Sequence, residues 1–65
     1  MDEQSRKKVI KAGFSIIRKA DEPSIRIKIR DGKSPYWRTQ DTFKTKAERD
    51  RWFNEMLNLS NVIQD

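Results

Sequence analysis

Ser24-Ile25-Arg26-Ile27-Lys28-Ile29-Arg30 alternates apolar and basic residues without a break. Side chains on an extended chain point alternately to its two sides. Ile25, Ile27 and Ile29 therefore share one face, and Arg26, Lys28 and Arg30 share the other. Isoleucine is β-branched and favours a pleated, half-buried surface, which agrees with a strand. The isoleucine face needs an apolar cover. The opposite face carries three cations roughly 7 Å apart, and the question of function is largely what meets it.

On the upstream side, Asp21-Glu22-Pro23 marks a turn, because proline disfavours helix at the residue before it. Ahead of that turn, Phe14, Ile16 and Ile17 lie in a first strand predicted over Gly13 to Lys19. Its faces stay ambiguous, since Phe14 and Ile16 have one parity and Ile17 the other. Gly13 weakens a continuous helix from the N-terminus by about 1 kcal/mol relative to alanine; a helical start before it stays open. Residues 1–8 are polar, with Arg6, Lys7 and Lys8 in a run, and read as a flexible basic tail. Such a tail is either solvated or an arm that reaches an anion.

Downstream, Asp31-Gly32 is a hairpin signal, extended by Lys33, Ser34 and Pro35 into a longer loop. A third strand follows over Tyr36 to Thr42. Trp37 and Phe43 share a parity assigned inward, which leaves Tyr36, Arg38 and Gln40 outward beside the basic residues. A bulge around Ser34 to Trp37 would exchange those two sets. Thr45 and Glu48 then form a capping box for a helix. Trp52, Phe53, Met56, Leu59 and Ile63 recur at helical spacing and read as core, while Asn58, Ser60 and Asn61 point to fraying near the end. The predicted architecture is α+β: a three-stranded antiparallel sheet packed on one C-terminal α-helix (βββα), as a single domain over residues 9–65. With no second helix predicted, the other face of the sheet is expected to stand open.

Composition narrows the function. Sixty-five residues suffice for one domain, which buries only about 60% of its unfolded surface. The mean hydropathy is −1.03. Without cysteine or histidine, the chain lacks a disulfide framework, the commonest zinc ligands and the commonest general base. Fifteen basic residues against ten acidic ones give a net charge of +5, which favours an anionic partner. No secretory signal or membrane-length apolar run is evident, so the expected location is cytoplasmic, in a bacterial or phage-infected cell, and nucleoid-associated if DNA is bound.

Catalysis is not expected. Tyr36 is the single tyrosine and has no base to activate it. Glu48, Asp50 and Glu55 alternate with Arg49 and Arg51 and read as surface ion pairs worth tenths of a kcal/mol. No cofactor or metal is called for, and no glycine-rich phosphate loop is evident.

Thr42-Phe43-Lys44-Thr45-Lys46-Ala47-Glu48, followed by Trp52-Phe53, resembles the helix entry of the arm-type DNA-binding domain of tyrosine recombinases (integrases), and of its relative, the plant ethylene-response-factor DNA-binding domain. Ile29-Arg30-Asp31-Gly32 is similar to the end of that family's second strand. The resemblance spans about the last forty residues. Arg49 departs from it, standing where the family often has a small residue, and so does the inward Trp37. The resemblance implies a sheet inserted into the major groove of double-stranded DNA, with Arg26, Lys28 and Arg30 on strand two and Arg38 and Gln40 on strand three as contacts. The chemistry agrees: a β-ribbon fits that groove, arginine can pair with guanine and glutamine with adenine. Arg18, Lys19 and Lys33 at the edges would meet phosphates.

These readings point to an accessory or regulatory factor of a phage or mobile element, acting in recombination or transcription regulation; as a fragment, the chain would be the arm-binding piece of a recombinase. Met1 favours the former. The rival is a phage or mobile-element protein that binds and inhibits a host protein through the same sheet face, with aromatics and arginine at the interface. A single-strand RNA binder would need exposed aromatics on the sheet. An ordinary solvated strand also carries lysine and arginine. A membrane-surface role has no basic amphipathic helix to support it.

Overall fold

The computed structural model describes residues 1–65, apart from the side chain of Pro35. In chain order the elements are α1 (Glu3–Lys11), β1 (Ser15–Ala20), β2 (Arg26–Asp31), β3 (Ser34–Thr42), α2 (Lys46–Leu57) and β4 (Val62–Gln64). The strands form a four-stranded sheet in the order β3-β2-β1-β4. β1, β2 and β3 are an antiparallel meander, and β4 joins the outer edge of β1 in parallel. The α+β class and the meander with its following helix agree with the sequence. The fourth strand and the first helix are additions to the predicted βββα order.

Strand β2 follows its alternation. Ile27 and Ile29 are buried together with Ile17 of β1 and Phe53 of α2, and Phe43, Met56, Leu57 and Val62 pack around them. Ile17 pairs with Ile29, and Lys19 with Ile27, which puts these four residues on the α2 face. The register that pairs Ile16 with Arg30, Arg18 with Lys28 and Ala20 with Arg26 defines the reverse face. Ile16 and Ile17 are both fully buried, which settles their opposed parity: β1 has an apolar residue to hide on each side.

Helix α2 begins where the capping pattern places it. The Thr45 hydroxyl accepts from the Glu48 amide at 3.2 Å. Phe53 is 1% exposed and is the helix's contribution to the core. The predicted stripe holds only in part. Trp52 is about half exposed and leans on Phe43, with ring centroids 6.4 Å apart. Leu59 lies past the helix end and is exposed, and Ile63 belongs to β4. Arg49 is not a surface residue. It is buried, and its guanidinium binds Asp21 in the β1–β2 turn as well as neighbouring Asp50, fastening α2 to that turn.

Residues 1–8 do not form a tail. Asp2 caps α1 by accepting from the Ser5 amide at 2.8 Å, and the helix ends at Lys11, ahead of Gly13. Gly13 has φ 96°, a backbone state open chiefly to glycine, and it turns the chain from α1 into β1. The helical start left open by the sequence is the one adopted. Helix α1 lies against β1 on the reverse face of the sheet, where its Glu3 meets Arg30. The reverse face is therefore covered at one end, contrary to the expectation of a fully open face.

Candidate nucleic-acid interface

On the reverse face, the β1–β2 register sets Arg18 beside Lys28 and Ala20 beside Arg26. Across β2, Lys28 pairs with Thr39 and Arg26 with Thr42. These rows form a polar, cationic surface, which α1 approaches through Arg6 beside Arg18. Arg26 folds back on its own turn: its Nε–H donates to the Ser24 carbonyl at 3.2 Å and its Nη2 to the Ser24 hydroxyl at 2.6 Å. Among the described residues neither Arg26 nor Lys28 has a carboxylate partner, so both charges remain available.

Strand β3 presents the opposite parity from the predicted one. Ile27 pairs with Asp41 while Lys28 pairs with Thr39, so Gln40 is an extra residue in a bulge. One inserted residue exchanges the faces of everything before it. Phe43, beyond the bulge, reaches the α2 core. Trp37, of the same sequence parity, lands on the reverse face, where the guanidinium of Arg18 lies 4.1 Å from its ring centroid and that of Arg6 5.9 Å. Arg38 pairs with Ile29 and so belongs to the α2 side. There it makes two hydrogen bonds to Asp31, at 2.8 and 3.2 Å. Inward Trp37 and outward Arg38 are both corrected by that single residue, and Gln40 itself is exposed within the bulge.

Other predicted positions scatter. Lys19 is on the α2 face, 3.2 Å from Asp50 and 4.9 Å from the Phe53 ring centroid. Lys33 is exposed in the tight β2–β3 turn, which is shorter than the predicted loop because Asp31 pairs with Ser34 and accepts from the Lys33 amide at 2.9 Å. Arg18 stands in the middle of the reverse face instead of at an edge. Arg30 shares that face but is bound by Glu3 at 2.7 and 3.0 Å, with its side chain only 12% exposed. Its Nε–H, also buried, has no partner.

Sequence reasoning missed the cluster around α1. Arg6 donates to Asp65 through Nε and Nη2 at 2.9 and 3.1 Å, and Arg18 approaches the same carboxylate at 4.0 Å. Hydrogen bonding to Arg30 holds the Glu3 carboxyl below its ordinary value, and the bond to Asp65 raises Arg6. A local signal for α1 did exist: Asp2 in a capping position, Glu3 in the first turn, and Lys8 and Lys11 in the last, in line with the helix dipole. Nothing local announces Asp65 as a partner.

No group of acidic or sulfur-bearing residues suited to a metal occurs among the described residues, and no described helix is long and apolar enough to cross a membrane. No family model, curated protein or solved structure matches the chain.

Proposed function

We propose that this chain is a small DNA-binding protein that reads or grips a duplex with the reverse face of its sheet, in the manner of the arm-type domain it resembles, and serves as an accessory or regulatory factor, or arm-binding piece, of a phage or mobile element. The observation that carries the reading is the pair Arg26 and Lys28, adjacent in strand parity, beside Arg18, and without carboxylate partners among the described residues. Phosphate oxygens are the natural acceptors for such charges. Thr39 and Thr42, register partners of Lys28 and Arg26, add hydroxyls of the kind that bind phosphate or base edges. Arg38 and Lys19, bound to carboxylates on the other side, leave the contact set.

The test is fluorescence anisotropy of a labelled random-sequence duplex across a salt series. Binding should weaken steeply with salt, with a log–log slope of about −0.9 per phosphate neutralised. Replacing Arg26 and Lys28 together by alanine should flatten the slope by about 1.8 and leave the fold intact. Undiminished binding by that variant, with Lys7→Ala/Lys8→Ala abolishing it, would move the interface off the sheet.

A second reading, a module that inhibits a host protein, draws on Tyr36, which is 76% exposed on edge strand β3. Aromatic side chains of that kind dominate protein interfaces. A salt-tolerant complex, recovered after nuclease treatment and lost with Tyr36→Ala, would favour it.

A further inference from the structure

We infer that α1 is a displaceable cover over part of the DNA-binding surface, with the Glu3 carboxylate standing where a backbone phosphate would contact Arg30. This rests on the reading of the reverse face as a DNA interface and extends it to the residues beneath the helix. Helix α1 is nine residues long and has no buried residue, and a helix of that length has little stability of its own in water. Its attachment combines half-buried Val9 and Ile10 with two ion pairs. Glu3 holds Arg30, and Arg6 holds Asp65. Both pairs exchange readily for contacts to a polyanion, since a phosphate offers a guanidinium the same bidentate geometry as a carboxylate.

Arg30 is the residue that gains most. Glu3 engages its terminal nitrogens and leaves its Nε–H buried and unpartnered. With α1 displaced, Arg30 would join Arg18, Lys28 and Arg26 on one continuous cationic face, and Arg6 would be released from the fold. Gly13, at φ 96°, links the helix to β1, and a Cβ there would touch nothing within 4 Å. No side chain crowds that junction, and displacement breaks the backbone bonds that the Gly13 and Phe14 amides donate to the Ile10 and Val9 carbonyls at 3.0 and 3.1 Å. Displacement uncovers Ile16, which is fully buried in the free protein; sugar carbons and thymine methyl groups offer it apolar surface in a groove.

A disulfide lock tests the idea. A Cβ on Gly32 would lie 3.6 Å from Cγ2 of Ile10, which makes Ile10→Cys/Gly32→Cys the pair chosen to join α1 to the β2–β3 turn, with closure checked by thiol titration; no native cysteine competes. The labelled random duplex is titrated with the oxidised and the reduced protein. The oxidised form should bind about tenfold more weakly or worse, with a salt slope flatter by about 1.8 for the lost Arg6 and Arg30 contacts, and reduction should restore both. Equal binding by the two forms overturns the cover and leaves the interface reading standing. If neither form nor the wild type binds, both readings fall. Should the bridge fail to close, or the oxidised protein melt well below the wild type, Glu3→Gln replaces it, with Glu22→Gln as the control for a lost negative charge. Glu3→Gln should tighten binding by more than Glu22→Gln does, and an equal or smaller effect overturns the inference.

Discussion

Arg18 reaches from β1 across β2 to lay its guanidinium 4.1 Å from the ring centroid of Trp37 on β3. The contact joins strands that are not neighbours, so it spans the width of the meander on the side away from α2. It exists because Gln40 is inserted as a bulge and turns Trp37 toward the cations. A partly exposed cation–π pair contributes about 0.5–1 kcal/mol. A double-mutant cycle with Arg18→Met and Trp37→Leu, read by urea denaturation, should give a coupling energy of that size. A coupling near zero would mean that the two side chains only share space.

Gly13→Ala should destabilise the protein by about 1–2 kcal/mol, the cost of a left-handed backbone for a residue with a Cβ. Because nothing crowds the position, the loss would come from conformation alone. Gly32→Ala, where the added carbon meets Ile10 at an ordinary 3.6 Å, should fall within about 0.5 kcal/mol of wild type. Denaturation midpoints of the two variants decide between a backbone requirement and simple packing.

Arg49→Ala should cost about 2–3 kcal/mol, since it removes a buried stem and the guanidinium's bonds to Asp21 and Asp50, leaving each carboxylate a lysine partner alone. The partners Asp21 and Asp50 are nearly half exposed, which keeps the loss below that of a fully buried pair. Asp21→Asn should cost less, because Asp50 remains bound to the guanidinium. Thermal melts of both variants would show the order, and the reverse order would contradict the assignment of Arg49 as the fastener of α2.

Acid should loosen the protein in a defined sense. Hydrogen bonds from Arg30, Arg38 and Arg49 hold Glu3, Asp31 and Asp50, respectively, below their ordinary values of 4.5, 3.8 and 3.8. A carboxyl depressed on folding contributes stability that is fully present above its unfolded pKa and is lost as the pH falls through its folded pKa. Stability should therefore be level above the range of these ordinary values and decline below it. Hydrogen exchange at the α1 amides, followed during the acid titration, should report release of Glu3 from Arg30. Protection of α1 that survives full protonation of Glu3 would show that the Arg6–Asp65 pair and half-buried Val9 and Ile10 hold the helix without Glu3.

Strand β2, the Thr45 cap and the Phe53 contact were legible in the residues because each rests on local physics. Strand periodicity divides Ile27 and Ile29 from Arg26, Lys28 and Arg30 whatever the surroundings, and a hydroxyl three residues ahead of a free amide caps a helix in any fold. Tertiary structure alone decided the rest. Whether Gln40 sits in the ladder or bulges from it depends on the fit of β3 against β2, and that one residue sends Trp37 and Arg38 to opposite sides. Attachment of α1 depends on Arg6 meeting Asp65 across 59 positions and on Glu3 meeting Arg30 across 27; β4, three residues long, exists because the edge of β1 is there to pair with. Such long-range contacts carry no periodic trace in the chain, since their free energy arises only once distant segments have been brought together.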